Sequence, residues 1–185
     1  MLVLASQSPR RREILSAAGI DFVARAASVP EEHREGESPE SYVLRLAEAK
    51  ARAVEAGPGD IVLGADTVVV CAGQILEKPR DSADATRMLG LLSGREHDVI
   101  TGICLLQGDR NILDTARTRV YFTSLSEADI AAYVASGEPM DKAGAYAIQG
   151  LASKFIDRIE GEYFNVVGLP VALVHRHIKG SLLEP

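Results

Sequence analysis

Asp66 is the first residue of this chain whose chemistry needs explaining, because it interrupts the apolar, β-branched run from Ile61 to Ala72. A carboxylate in such surroundings costs several kcal/mol if charged and unpaired, so something must compensate it. One reading is a strand-end aspartate bonded to backbone. The other is a metal ligand or general base whose pKa is tuned by burial, with Thr67 beside it in Gly64-Ala65-Asp66-Thr67.

A second cluster opens the chain, where Leu2 to Ala5 breaks into Ser6-Gln7-Ser8-Pro9-Arg10-Arg11-Arg12. Ser8 is a good N-cap and Pro9 suits the first helical position, so a helix is predicted to start there. Three cations at the positive end of a helix dipole are unfavourable unless an anion joins them. The arginines therefore read either as a solvated face or as part of a phosphate cradle with the helix N–H groups.

Weaker candidates lie between and beyond these two. Glu31-Glu32 sits in a polar loop and offers hard oxygen ligands of the kind magnesium combines with phosphate oxygens and water. Lys78, in Glu77-Lys78-Pro79-Arg80, follows a short return strand and reads as surface or as a site cation. Asp141 to Gly150 has neither helical nor strand period, and Gln149 within it could pair with the imide edge of a uracil or thymine base. The histidines offer no metal pair: His175 and His177, two apart on a helix, face different ways.

The elements that must position these residues follow from periodicity. A first helix ends near Gly19, a strand covers Asp21 to Ala26, and a helix capped by Ser38-Pro39 runs to about Glu55. Ile61 to Val70 reads as a strand buried on both faces, with a short return at Gln74 to Leu76. Asp81 caps a helix through Leu92, and His97 to Leu106 with Ile112 to Phe122 forms a long hairpin across Gly108-Asp109. Ser126 opens another helix, Phe155 to Ile159 is a strand, and Pro170 starts a last helix ending near Ile178. Strands and helices do not alternate strictly, so a mixed sheet is expected.

Composition limits the functions open to such a fold. The chain has 185 residues, 46% hydrophobic and 25% charged, enough for one substantial core. A net charge of −6 argues against non-specific binding to nucleic acid or anionic membrane, so an anionic ligand must meet a local basic cluster. Cys71 and Cys104 lie in apolar runs without metal-ligand spacing and read as reduced thiols, which points to the cytoplasm. No secretory or membrane-spanning segment is visible. The common nucleotide-loop and hydrolase-elbow motifs do not occur.

In this order, Leu4-Ala5-Ser6-Gln7-Ser8-Pro9-Arg10-Arg11, Gly64-Ala65-Asp66-Thr67, Glu77-Lys78-Pro79, Leu92-Ser93-Gly94-Arg95, Asp141-Lys142-Ala143-Gly144-Ala145-Tyr146 and Val167-Gly168-Leu169-Pro170 resemble the Maf family of nucleoside triphosphate pyrophosphatases. The resemblance spans essentially the whole chain. It implies one Maf-like domain over residues 1–185, a mixed α/β fold with an elongated twisted sheet flanked by helices, and two lobes framing a central cleft. It implies a divalent cation, Mg2+ or Mn2+, and cleavage between the α and β phosphates of a nucleoside triphosphate.

The DKAGAY…IQG form resembles the subgroup acting on dTTP and UTP, with Ala147 standing where glycine is expected. The resemblance assigns Asp66 as proton acceptor, Arg10 to phosphate contact and specificity, and Thr67 and Gln149 to specificity. Ser8, Lys50 and Lys78 are further substrate-binding matches, and Glu31 joins Asp66 at the metal, with Glu32 the rival to Glu31. A homodimer is the implied assembly. Two other readings stay open: a nucleotide-sensing regulator of cell division without catalysis, and an enzyme of the 7-methyl-GTP subgroup. Modified pyrimidine nucleotides are also candidate substrates.

Overall fold

The computed structural model describes residues 1–182. Its strands are β1 (Leu2–Ala5), β2 (Phe22–Arg25), β3 (Ile61–Cys71), β4 (Gln74–Leu76), β5 (Glu96–Gln107), β6 (Arg110–Phe122) and β7 (Ile156–Glu160). They form one seven-stranded sheet in the order β2-β1-β3-β5-β6-β7, with β4 paired to β3. β1 runs parallel to β2 and β3, while the β3–β4 and β6–β7 pairs are antiparallel, so the sheet is mixed as expected. The helices are α1 (Pro9–Ala17), α2 (Pro39–Arg52), α3 (Ser82–Leu92), α4 (Glu127–Ala135), α5 (Tyr163–Val167) and α6 (Val171–His177). Among the described residues, no helix is long and apolar enough to cross a membrane.

Two compact units can be distinguished, and β3, β5 and β6 each pass from one into the other. Among the described residues the first comprises 1–67, 101–116 and 168–182; the second comprises 68–100 and 117–167. In the first, Val3, Ala5, Ala47, Ala51, Val62 and Cys104 form a small-residue core where α2 lies on the sheet. The second has a larger core in which Met88, Leu89 and Leu92 of α3 pack with Phe122, Tyr133, Tyr146 and Phe155.

Capping signals in the sequence place the helix starts well. The Ser38 hydroxyl accepts from the Ser41 N–H, Asp81 accepts from the Asp84 N–H, and Ser126 with Asp129 forms a reciprocal capping box. α1 is the exception. Ser8 has N-cap geometry but its side chain makes no cap bond, and its own N–H donates to Ser6 Oγ at 3.1 Å.

α2 and the sheet approach one another closely. Gly64 on β3 has so little room that a Cβ there would lie 2.0 Å from the Ala47 carbonyl oxygen. At Gly102 on β5 a Cβ would lie 2.6 Å from the Val43 carbonyl carbon. Glycine at both positions lets helix backbone rest directly on strand backbone.

Candidate active site

Alternation along β3 puts Gly64 and Asp66 on one face, and α2 lies against that face. On α2, Leu46, Ala47, Lys50 and Ala51 are all buried, three or four residues apart, so Lys50 belongs to the stripe that packs on the sheet. With Gly64 under Ala47 and Ala51, Asp66 comes under Lys50. The Lys50 Nζ donates to Asp66 Oδ1 at 2.6 Å. It also meets Glu31 Oε1 at 2.6 Å, so two carboxylates converge on one ammonium. Both Lys50 and Asp66 are 8% exposed. The compensation that Asp66 requires is thus a buried lysine.

Burial pushes the Asp66 carboxyl above its ordinary range. The charge and hydrogen bond of Lys50 and the charge of Arg11 pull it back, and the negative charge of Glu31 adds to the upward effect. Proton affinity raised in this way suits a carboxylate that must take a proton near neutral pH.

Among the three arginines only Arg11 is buried. Its Nε donates to the Gly168 carbonyl at 2.8 Å, Nη2 to Thr67 Oγ1 at 3.1 Å and Nη1 to Ser6 Oγ at 3.4 Å. Burial lowers the Arg11 pKa from its ordinary value, the charge of Asp66 opposes that, and neighbouring Arg10 adds to it. Arg11 therefore acts as a strut, which is neither the solvated face nor the phosphate contact between which the sequence left the arginines. Arg12 is exposed and Arg10 half-buried, so Arg10 is the arginine of the three placed at the edge of the buried cluster. Thr67 Oγ1 also shares a hydrogen bond of 2.9 Å with Thr101 Oγ1, a partner on β5 that sequence spacing does not reveal.

The first unit thus brings Glu31, Lys50 and Asp66 into one ion cluster, with Thr67 next in the chain and tied to Arg11. Ser8 and Arg10 lie at the start of α1 in the same unit, Arg10 close enough for its charge to act on Arg11. Of the two adjacent glutamates, Glu31 turns its carboxylate to Lys50, while the Glu32 backbone carbonyl accepts from Arg45 Nη2 at 2.9 Å. Lys78 and Gln149 belong to the second unit, and both are exposed. The segment around Gln149 is built from short 3-10 turns, Glu138–Asp141, Ala143–Ala145 and Leu151–Phe155.

Among the described residues, no group of three or more His, Cys, Asp or Glu side chains is arranged to hold a metal ion. Glu31 and Asp66 are two hard oxygen donors brought together on the Lys50 ammonium, with which a metal ion would share them. That fits an ion such as magnesium, which takes one or two carboxylates and completes its shell with water and phosphate oxygens.

Comparison with known proteins adds to this geometry. The model of the family described as Maf-like protein matches residues 1–181. A dTTP/UTP pyrophosphatase of Koribacter versatilis is 53% identical over 179 residues, covering 96% of this chain and 93% of that protein. One from a Geobacillus species is 49% identical, covering 96% of each. Among solved structures, the Staphylococcus aureus Ham1 protein has the same fold at 12% identity, with a TM-score of 0.52 over 97% of this chain and 98% of that one.

Proposed function

We propose, from the premise that this chain belongs to the Maf-like protein family, that it hydrolyses dTTP and UTP to the monophosphate and pyrophosphate. The observation that carries the reading is Asp66, a buried carboxylate with raised proton affinity, held by Lys50 with the charge of Arg11 also acting on it and Glu31 sharing the ammonium. Relatives at 53% and 49% identity that carry the name dTTP/UTP pyrophosphatase support the choice of substrate. The family match over residues 1–181 supports one functional domain.

In the mechanism, Lys50 fixes the Asp66 carboxylate through Oδ1, and the carboxylate takes a proton from a water that attacks the α-phosphorus opposite the departing pyrophosphate. Arg10 contacts phosphate, and Arg11 holds Thr67 in place through its hydroxyl so that Thr67 can act in discrimination. Ser8 and Lys78 complete the substrate contacts, and Gln149 reads the base edge through its donor and acceptor groups. A magnesium or manganese ion held by Glu31 and Asp66 would neutralise phosphate charge. Buried free thiols at Cys71 and Cys104 support a cytoplasmic setting, since burial raises both pKa values, that of Cys104 to about 11. The homodimer is carried forward on symmetry alone.

The test is pyrophosphate release by the purified protein with dTTP, UTP and 7-methyl-GTP in magnesium, with and without chelator. Metal-dependent release from dTTP and UTP is expected. Folded protein that releases none would favour the sensor reading, and faster release from 7-methyl-GTP would assign the other subgroup.

A further inference from the structure

The second unit holds a buried polar network with no part in the chemistry above. Tyr133 on α4 is 3% exposed, and its hydroxyl donates to Glu138 Oε1 at 2.8 Å. The same hydroxyl accepts the Ala147 N–H at 3.3 Å. The other carboxylate oxygen, Glu138 Oε2, accepts the Leu151 N–H at 3.1 Å. Both oxygens of one half-buried carboxylate are thus committed to a single stretch of chain, one directly and one through a tyrosine.

Gln149 lies at the centre of that stretch, two residues after Ala147 and two before Leu151. Gly150, its neighbour, sits directly on the carboxylate: a Cβ there would be 2.3 Å from Glu138 Oε1 and 2.4 Å from Oε2. The Gly150 N–H donates to the Ala147 carbonyl at 3.2 Å, closing a turn with Gln149 at its apex. Lys142 Nζ donates to the Glu138 carbonyl at 2.8 Å, so the start of the same segment is tied to the same residue. The Gln149 side chain is exposed and outside these bonds.

We propose that Glu138, acting with Tyr133, is a positioning residue that fixes Gln149 for discrimination between nucleotide bases. The inference rests on the reading of Gln149 given under Proposed function. An amide can tell one base edge from another only if its donor and acceptor are held in a fixed direction, because discrimination lies in the pairing that a wrong base leaves unmade. Glu138 supplies that direction by receiving the Leu151 N–H on one side of Gln149 and by orienting the Tyr133 hydroxyl that receives the Ala147 N–H on the other. A glutamine at 138 does so less well. Its one oxygen keeps the Leu151 N–H, but its amide then faces the Tyr133 hydroxyl, which must turn from donor to acceptor while still receiving the Ala147 N–H, and the carboxylate charge that strengthens both bonds is gone.

The experiment measures kcat/KM for UTP and for GTP in the wild type, E138Q, Y133F, Q149A and the E138Q/Q149A double variant. The expected result is a fall of about tenfold or more in the UTP-over-GTP ratio of E138Q, the loss appearing in KM for UTP rather than in kcat. Within the Q149A background E138Q should add little, because the two residues act through one contact. A folded E138Q that keeps the wild-type ratio, or effects of E138Q and Q149A that simply add, overturns the proposal. If E138Q does not fold, Y133F, which removes one hydroxyl and with it the acceptor of the Ala147 N–H, is judged by the same ratio and the same cycle. A wild-type protein without preference for dTTP and UTP instead overturns the functional reading, which separates the two failures.

Discussion

Replacing Gly64 by alanine should separate the two charges at the centre of the site without touching either. The new Cβ would fall 2.0 Å from the Ala47 carbonyl oxygen, 2.8 Å from the Ala51 N and 3.0 Å from the Ala51 Cβ. Real Cβ contacts essentially never come below 3.0 Å, and two of these three atoms are helix backbone, so α2 must lift from β3 by about 1 Å. Lys50 lies between Ala47 and Ala51 along that helix and lifts with it. Its bond to Asp66, now 2.6 Å, is stretched and turned from its present direction, the flexible stem taking up part of the lift. Overpacking of this kind costs about 1–3 kcal/mol, and an ångström of misplacement at a reacting group costs about a hundredfold in rate. Gly102→Ala is the matched control. It presses on α2 at Val43, two turns before Lys50, and should lower thermal stability comparably with a smaller loss of turnover. The assays are a thermal melt and pyrophosphate release from UTP. G64A with wild-type melting temperature and turnover would refute the packing argument, and equal turnover losses in G64A and G102A would refute the link through Lys50.

Asp66→Asn should reduce turnover by about a hundredfold or more while leaving UTP binding measurable, and normal turnover would remove the base from the scheme. The same variant reports on pH. Because burial raises the folded pKa of Asp66 above its ordinary 3.8, its favourable contribution to stability is present below that value and is lost as pH rises through the folded pKa. Wild type should therefore lose melting temperature relative to D66N as pH increases from 4 to 8, and a gap that is constant or opens the other way contradicts the assignment. Arg10→Ala should weaken UTP handling about ten- to hundredfold with little change in melting temperature. Arg11→Lys should do the reverse, lowering stability by about 1–3 kcal/mol, since one ammonium cannot serve the Gly168 carbonyl and the Thr67 hydroxyl in the fork geometry of a guanidinium. Melts and Michaelis constants on the pair check both.

Much of this site can be read from the sequence because it rests on local rules. The Val/Ile run around Asp66 signals a buried acid, and Ser38-Pro39 signals the start of the helix that covers it. Lys50 comes only through the family resemblance, although its place three and four residues after Ala47 and Leu46 on the apolar stripe is where a cation needs a buried partner. The inward turn of Arg11 is not readable. Its acceptors Thr67 and Gly168 stand 56 and 157 positions away, and an arginine in a first helical turn otherwise looks solvated. The segment from Asp141 to Gly150 shows no period because the turns in and around it, Glu138–Asp141, Ala143–Ala145 and Leu151–Phe155, are three to five residues long, too short for a hydrophobic repeat to register. α5, only five residues long between Gly161 and Gly168, escaped for the same reason.

The reach from Arg11 to Gly168 has a consequence for synthesis. A ribosome releases α1, β3 and Asp66 long before it makes the carbonyl that orients Arg11. Until residue 168 has left the exit tunnel, that guanidinium lacks its nearest acceptor and the threonine beside the aspartate is held from one side only. A nascent chain with every assigned site residue from Ser8 to Gln149 already translated should therefore be incompetent to destroy nucleotides, with activity appearing only as the final helix emerges.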